Sequence, residues 1–254
     1  MNDSIRLGSL FGIEIKLHWS MPFLLLVFWL GLAPTFGGYP GGLLPAALVL
    51  LALESIVLLH ELGHSLVAKS YGLQVVDITF WPLGGMARMS RIPEDTRMEA
   101  TIALAGPAVN MALAALALPI GILMPEGGLG DLVMLFFWMN LVLGGFNLLP
   151  AVPMDGGRVL RAVLAKDGDW LRATETAVRV GRWVALAMVI WSLLFDGSFM
   201  LIFIAGFVWI SGQKELMATR VRHTGTPFNL AGLDDMLRRA AGATGSAGPG
   251  GPGG

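Results

Sequence analysis

The chain has 254 residues, of which 55 % are hydrophobic and only 14 % charged, well under the roughly 25 % charged content usual in soluble domains. That composition describes a membrane protein; the net charge of -1 gives no argument for nucleic acid, and no strand-turn-helix context supports a phosphate-binding loop. The absence of cysteine excludes disulfides and thiolate metal sites, so any bound metal must use His, Asp, Glu or Asn.

In chain order, residues 1–16 form a cytoplasmic segment in which "IRLGSLFGIEIKL" alternates with period two, as a strand does. Six apolar stretches follow, at about 17–35, 43–68, 99–124, 131–150, 180–195 and 197–213, each read as a membrane span. The first is preceded by Arg6 and Lys16 in the manner of a signal peptide, but it is long, aromatic and has no small-residue cleavage site behind it. It reads as an anchor.

Between the second and third spans, "VVDITFWPLGGMARMS" combines β-branched and aromatic residues with Gly84-Gly85, predicting two short strands. These either pair with the N-terminal alternation in a small sheet, whose open edge accepts an extended peptide, or lie on lipid as an amphiphilic loop. The fold expected is an all-α polytopic membrane protein of about six transmembrane helices with a small membrane-associated β element. Residues 17–213 form its transmembrane domain, with a core at 43–160. Residues 214–254 form a cytoplasmic tail, with a short surface helix within 226–241 and a low-complexity, disordered end from about 242.

Alternating the loops between the two sides puts all 17 Lys and Arg residues on one side, counting Arg182 at the membrane edge. The opposite loops hold only acids such as Glu126, Asp131 and Asp196. The positive-inside rule then makes both termini cytoplasmic.

The second span ends in "LLHELGHSL", three ionisable groups in a segment apolar enough for lipid. At 1.5 Å rise per residue, His60 and His64 lie roughly 7 to 14 Å inside its cytoplasmic end. Spaced i, i+4, the two imidazoles share a helix face and can grip one ion, while Glu61 can reach a water beside it. Any one of the three residues alone reads best as a hydrogen-bonding group within a bundle. Together they are harder to dismiss, because a chance H-E-x-x-H is expected in only ~0.2 % of chains with these residue frequencies.

Two histidines do not complete a catalytic metal site, which generally takes three protein ligands. The fourth span also runs toward the cytoplasm and ends in "NLLPAVPMDGGRVL", where Pro150 and Pro153 break the helix and Asp155 precedes two glycines. Asp155 therefore falls at the depth of His64. It either turns inward as a third ligand, helped by the flexibility of Gly156 and Gly157, or caps a helix beginning near Arg158.

These motifs resemble those of the site-2 protease family, intramembrane zinc metalloproteases that cleave membrane-anchored substrates. The resemblance rests on "HELGH" and "NLLPAVPMDGG", supported by "GPAVN" and "PLGG", which together frame about residues 54–160. It implies one zinc ion held by His60, His64 and Asp155, water activation by Glu61, and a role for Asn147 in holding the substrate peptide or its developing oxyanion. It also implies regulated release of a cytoplasmic domain from a membrane-anchored client, in a prokaryotic cell membrane. The alternative is a metal-binding membrane scaffold or transporter that would keep the ligands and not need Glu61.

Other polar positions read more plainly. Asn147 can equally cap the broken helix. Asn110 follows Pro107, whose ring leaves the Ala103 carbonyl without its donor, so repair of that carbonyl is its expected role. Glu54, two turns deeper than Glu61, is structural or part of a water path. His18 beside Trp19 is an interfacial anchor, His223 a tail residue, and Gly144-Gly145 a site of close helix packing.

Overall fold

The computed structural model describes residues 4–225 other than 38–40, 82–83, 91, 126 and 198. The surface helix and disordered end expected after residue 225, together with Glu126 and the Pro82-Leu83 half of "PLGG", fall outside the described residues.

The chain begins with an antiparallel hairpin of β1 (Ser4–Leu10) and β2 (Ile13–His18). Its turn is Phe11-Gly12, with φ of 50° and 75°, the left-handed pair that a two-residue type I′ turn requires. After α1 (Met21–Leu32) comes α2 (Leu43–Ser70), then β3 (Val75–Trp81) and β4 (Gly84–Met89). The strands form one sheet in the order β1-β2-β3-β4, with β2 and β3 parallel. Two parallel neighbours cannot be joined by a tight turn, and here α1 and α2 supply the crossover. The N-terminal alternation thus does pair with the 75–89 segment.

Period-two alternation divides the sheet into two chemically different faces. Ile13, Ile15, Ile78 and Phe80 form one core with Leu62 of α2 and Met21 of α1. On the other face Glu14, Lys16, Asp77 and Arg88 make a ladder of ion pairs: Lys16 Nζ lies 2.8 Å from Glu14 and 2.7 Å from Asp77, and Arg88 holds both oxygens of Asp77. The apolar face docks on the helices and leaves the ladder facing away from them.

The remaining helices are α3 (Thr96–Leu123), α4 (Leu129–Asn147), α5 (Asp155–Leu164), α6 (Trp170–Trp191) and α7 (Phe199–Thr224). Among the described residues, five helices are long and apolar enough to cross a membrane: α2, α3, α4, α6 with the turn after it, and α7. The first apolar segment, Met21–Phe36, is shorter; standard rises give it ~26 Å against a hydrocarbon core of about 30 Å.

Local signals explain where these helices start and stop. Asp95 caps α3 by accepting a 2.7 Å hydrogen bond from the Met98 N–H. Helix α2 ends in a Schellman arrangement: Gly72 is left-handed at φ 81°, its N–H reaches Lys69 O at 2.9 Å and the Leu73 N–H reaches Ala68 O at 3.1 Å. Helix α6 starts at Trp170, ten residues before the apolar stretch that marks it in the sequence, because Arg172, Glu175 and Arg179 lie on its polar first turns. Helix α7 likewise runs past residue 213, and Arg220 on it binds Glu175 of α6 at 2.7 Å.

Glycines bring α2, α3 and α4 into close approach. A Cβ on Gly63 would come within 2.9 Å of Ala105 O and of Val109, and one on Gly144 within 3.0 Å of the Asn110 Cβ. Gly144 is therefore a packing residue as expected, whereas Gly145 has nothing within 4 Å of such an atom.

Candidate metal centre

Helix α2 presents His60 and His64 one turn apart on the face toward α3, and both are buried. Asp155 reaches them from the first turn of α5. His60 Nε2 lies 3.1 Å from His64 Nε2, and Asp155 Oδ2 lies 3.3 Å from the first and 3.2 Å from the second. The three predicted ligands thus converge, forming a group able to hold a metal ion.

Asp155 does not cap its helix. The N-cap is Met154 in an extended conformation without a side-chain cap bond, and α5 begins at Asp155 itself. A carboxylate in the first turn still benefits from the helix dipole, while its oxygens remain directed at the imidazoles. The two following glycines act through size rather than flexibility. A Cβ on Gly156 would strike the Leu148 and Leu149 carbonyls, and one on Gly157 the backbone of Ala151 and Val152. Only without side chains can α5 lie against the broken end of α4.

The outward nitrogens fix the rings. His60 Nδ1 is 2.5 Å from Asn110 Oδ1, and His64 Nδ1 is 2.6 Å from the Ile102 carbonyl. Both partners are acceptors, so each Nδ1 carries the proton and, in the neutral ring, each Nε2 has a lone pair. Two such lone pairs and a carboxylate oxygen pointing at one place repel each other unless a cation or an extra proton lies among them. The three ligand-ligand distances match the roughly 3.3 Å edge of a tetrahedron with metal bonds of about 2.0–2.1 Å. The donor set therefore fits a divalent ion with nitrogen and oxygen preference. Space for it comes from Gly106 of α3, where a Cβ would collide with His64 Nε2 and come within 2.8 Å of the His60 ring.

Asn110 departs from its expected role. Its amide oxygen serves His60 rather than its donors serving the Ala103 carbonyl, and its Nδ2 donates to Asn140 Oδ1 at 3.1 Å. Asn140 in turn donates to the Phe136 carbonyl at 2.9 Å. This buried relay across α3 and α4 orients the His60 ring, in the way outer-sphere partners orient metal-binding histidines. The sequence carried a usable signal for it, an asparagine in the middle of each of two apolar spans.

Glu61 projects from the same helix toward β4. A Cβ on Gly85 would come within 2.9 Å of the Glu61 Cγ. Glu61, the three ligands and Asn147 all border one cavity of about 1090 Å³, whose other walls include Gly85, Ala87 and Met89 of β4 and Phe203 and Phe207 of α7. Asn147 donates one amide hydrogen to the Leu143 carbonyl at 3.0 Å, which leaves its second hydrogen to be directed elsewhere. His18 also borders the cavity: it stacks on Trp81 at 4.1 Å and binds Ser20 at 2.7 Å through Nδ1. Glu54 is half-buried on α2 and is not among the cavity residues, and His223 pairs with Glu94 at 3.2 Å.

This constellation can be set beside known proteins. The sequence matches Peptidase family M50 over residues 48–127 and 123–189. It is 39 % identical over 222 residues to a zinc metalloprotease of Methanocaldococcus jannaschii, covering 87 % of this chain and 63 % of that protein. It is 36 % identical over 233 residues to Rip3 of Mycobacterium tuberculosis, covering 85 % of this chain and 59 % of that protein. The solved site-2 protease from Methanocaldococcus jannaschii superimposes with a TM-score of 0.60 at 37 % identity, covering 84 % of this chain and 95 % of that one. The fold and the site define an integral membrane protein with a candidate metal centre inside its helical bundle. The chain belongs to Peptidase family M50, and it spans about three fifths of the length of these two curated relatives.

Proposed function

We propose that the chain is an intramembrane zinc metalloendopeptidase, hydrolysing a peptide bond within or near the transmembrane segment of a membrane-anchored protein. His60, His64 and Asp155 hold one zinc ion per chain, Glu61 is the general base and Asn147 assists at the scissile carbonyl. The observation that carries this reading is the convergence of two unprotonated Nε2 atoms and a carboxylate at one point of a cavity that Glu61 also borders.

When bound, zinc supplies Lewis acidity, polarising the scissile carbonyl and acidifying water. Glu61 takes a proton from the attacking water and passes it to the departing amine nitrogen as the C–N bond breaks. The remaining amide hydrogen of Asn147 donates to the carbonyl oxygen as its negative charge grows, which needs no ionised group in a partly dry site. Asn110 and Asn140 keep His60 in the tautomer that leaves Nε2 bare.

A transmembrane client hides its carbonyls in helical hydrogen bonds, so it must unwind locally before it can react. Strand β4 is one of the two edges of the sheet, and its alternate residues 85, 87 and 89 border the cavity. An extended client segment adding to that edge has its backbone held open beside Glu61. Cleavage there, in the cytoplasmic leaflet of a prokaryotic cell membrane with both termini of the protease cytoplasmic, releases a cytoplasmic domain. The placement of every Lys and Arg on one side supports this orientation.

The test pairs zinc analysis of purified protein with cleavage of a generic transmembrane substrate. Wild type should carry zinc and cleave, and Glu61→Gln should keep the zinc while turnover falls by about 10²- to 10⁴-fold, the range for loss of a positioned general base. Undiminished cleavage by Glu61→Gln removes the peptidase mechanism. Ion flux that survives the same substitution, without cleavage by wild type, favours a transporter.

A further inference from the structure

Among the described residues that border the metal cavity, Arg158 is the one Lys or Arg. It also borders a second, smaller cavity of about 260 Å³ lined by Glu94, Glu99, Arg161, Glu215 and Arg222, and Pro153 is likewise shared by the two. Arg158 therefore stands at the partition between the reacting cavity and a charged recess.

Its ion pairing is loose. Arg158 Nε is 3.6 Å from Glu99 Oε1, beyond hydrogen-bonding reach. Both oxygens of that carboxylate are already taken by Arg161, whose Nε donates to Oε2 at 3.2 Å and whose Nη2 donates to Oε1. Arg161 further binds Glu215 of α7 at 2.6 Å. The anchoring of α5 to α3 and α7 thus belongs to Arg161. Arg158, one turn after Asp155 and on its face of α5, keeps a charged fork beside the ligands without a matching carboxylate of its own among the described residues.

The reaction proposed for this cavity creates such a partner. Water adds to a neutral amide carbon, the C–N bond breaks, nitrogen leaves with a proton, and the acid formed ionises to a carboxylate on the amino-side fragment. A carboxylate born among Phe203, Phe207 and Met154 is poorly solvated, and a guanidinium is the side chain whose planar donors match it bidentately. We propose that Arg158 is the product-carboxylate site of this enzyme, binding the new C-terminus of the amino-side fragment and drawing it off the metal centre toward the charged recess. The proposal rests on the peptidase reading of the cavity.

The experiment measures binding of a short dye-labelled alanine-leucine peptide, made with a free C-terminal carboxylate or with a C-terminal amide, to the zinc-loaded full chain in detergent. Wild type is expected to prefer the acid. In Arg158→Gln that preference should shrink about tenfold, the scale of one charge-assisted pair, while zinc content stays constant. Arg158→Lys, which keeps the charge and loses the fork, should fall between them and serves as the readout if the glutamine variant does not retain zinc. An acid preference unchanged in zinc-retaining variants, or no preference in wild type, overturns the proposal. The two readings fail separately: loss of preference in Arg158→Gln alongside an inactive wild type leaves the carboxylate site and removes the peptidase. Cleavage by wild type with unchanged preference does the reverse.

Discussion

Asp77, Glu99 and Asp155 are the buried carboxylates among the described residues, and the surroundings of Asp77 and Asp155 are opposite in kind. Asp77, in the sheet, is met by Arg88 through both oxygens, by Lys16 at 2.7 Å and by the Thr79 hydroxyl at 3.3 Å. Asp155, in the bundle, is met by two imidazole nitrogens whose protons lie on the far side of the rings. The first carries its own counter-charges, and the second is arranged to receive one. A buried charge that the protein neutralises itself serves the fold; donors that converge without a proton between them serve a ligand. Burial alone would not have separated the two.

The difference can be broken from the ligand side first. Gly106→Ala puts a methyl group where His64 Nε2 and the His60 ring now sit, and zinc affinity should fall by more than about 100-fold, since at least one ligand must rotate away, exceeding the loss of an outer-sphere partner. Equilibrium dialysis against a competing chelator measures it. Removing the orienting amide is milder: Asn110→Ala leaves all three ligands and should weaken zinc by about 10- to 100-fold, with Asn140→Ala, one bond further out, losing less. If Asn110→Ala binds zinc like wild type, the relay is mere packing.

On the sheet side the expected signs reverse, with stability moving and metal content holding. Asp77→Ala leaves Lys16 and Arg88 facing each other. Breaking a fully buried pair costs about 3–5 kcal/mol, but Arg88 is 57 % exposed, so about 1–3 kcal/mol is expected after solvent screening. It should appear as a lower melting temperature with zinc retained. A smaller effect is expected with acid. Hydrogen bonding from the Arg88 guanidinium, then from Lys16, holds Asp77 at about 2, below its ordinary 3.8. The cluster's contribution is therefore complete above about pH 4 and is lost as pH falls toward 2. Melting temperatures of wild type and Asp77→Ala should converge over that window, and parallel curves would show that Asp77 is not held in this way.

The bundle side of this contrast was legible in the sequence, and the omissions have physical causes. The H-E-x-x-H spacing on an apolar helix specifies its own geometry, because i, i+4 residues share a face wherever the helix goes. The depth of Asp155 was legible, since Pro150 and Pro153 had to end α4 at the level where α2 carries His64, whereas the choice between ligand and helix cap stayed open on the residues alone and was made by the family resemblance. Helix α6 was legible only in its apolar half, since Arg172, Glu175 and Arg179 extend it outside the stretch that hydropathy can mark. Asn110 was misread because the local deficit at Pro107 is visible in sequence, whereas His60, fifty residues away, becomes its neighbour only when α2 and α3 pack. Gly156 and Gly157 were read as hinges for the same reason, as their closeness to residues 148–152 is a fact of packing.

The central claim is that α2 and α5 together grip one divalent ion. Its most direct test is the metal content of purified wild type, Asp155→Ala and Asp77→Ala, determined side by side by elemental analysis after extensive dialysis. One zinc per chain in wild type and in Asp77→Ala, with near-complete loss in Asp155→Ala, is the result predicted. Full zinc occupancy in folded Asp155→Ala, or a wild type that binds none, would contradict it.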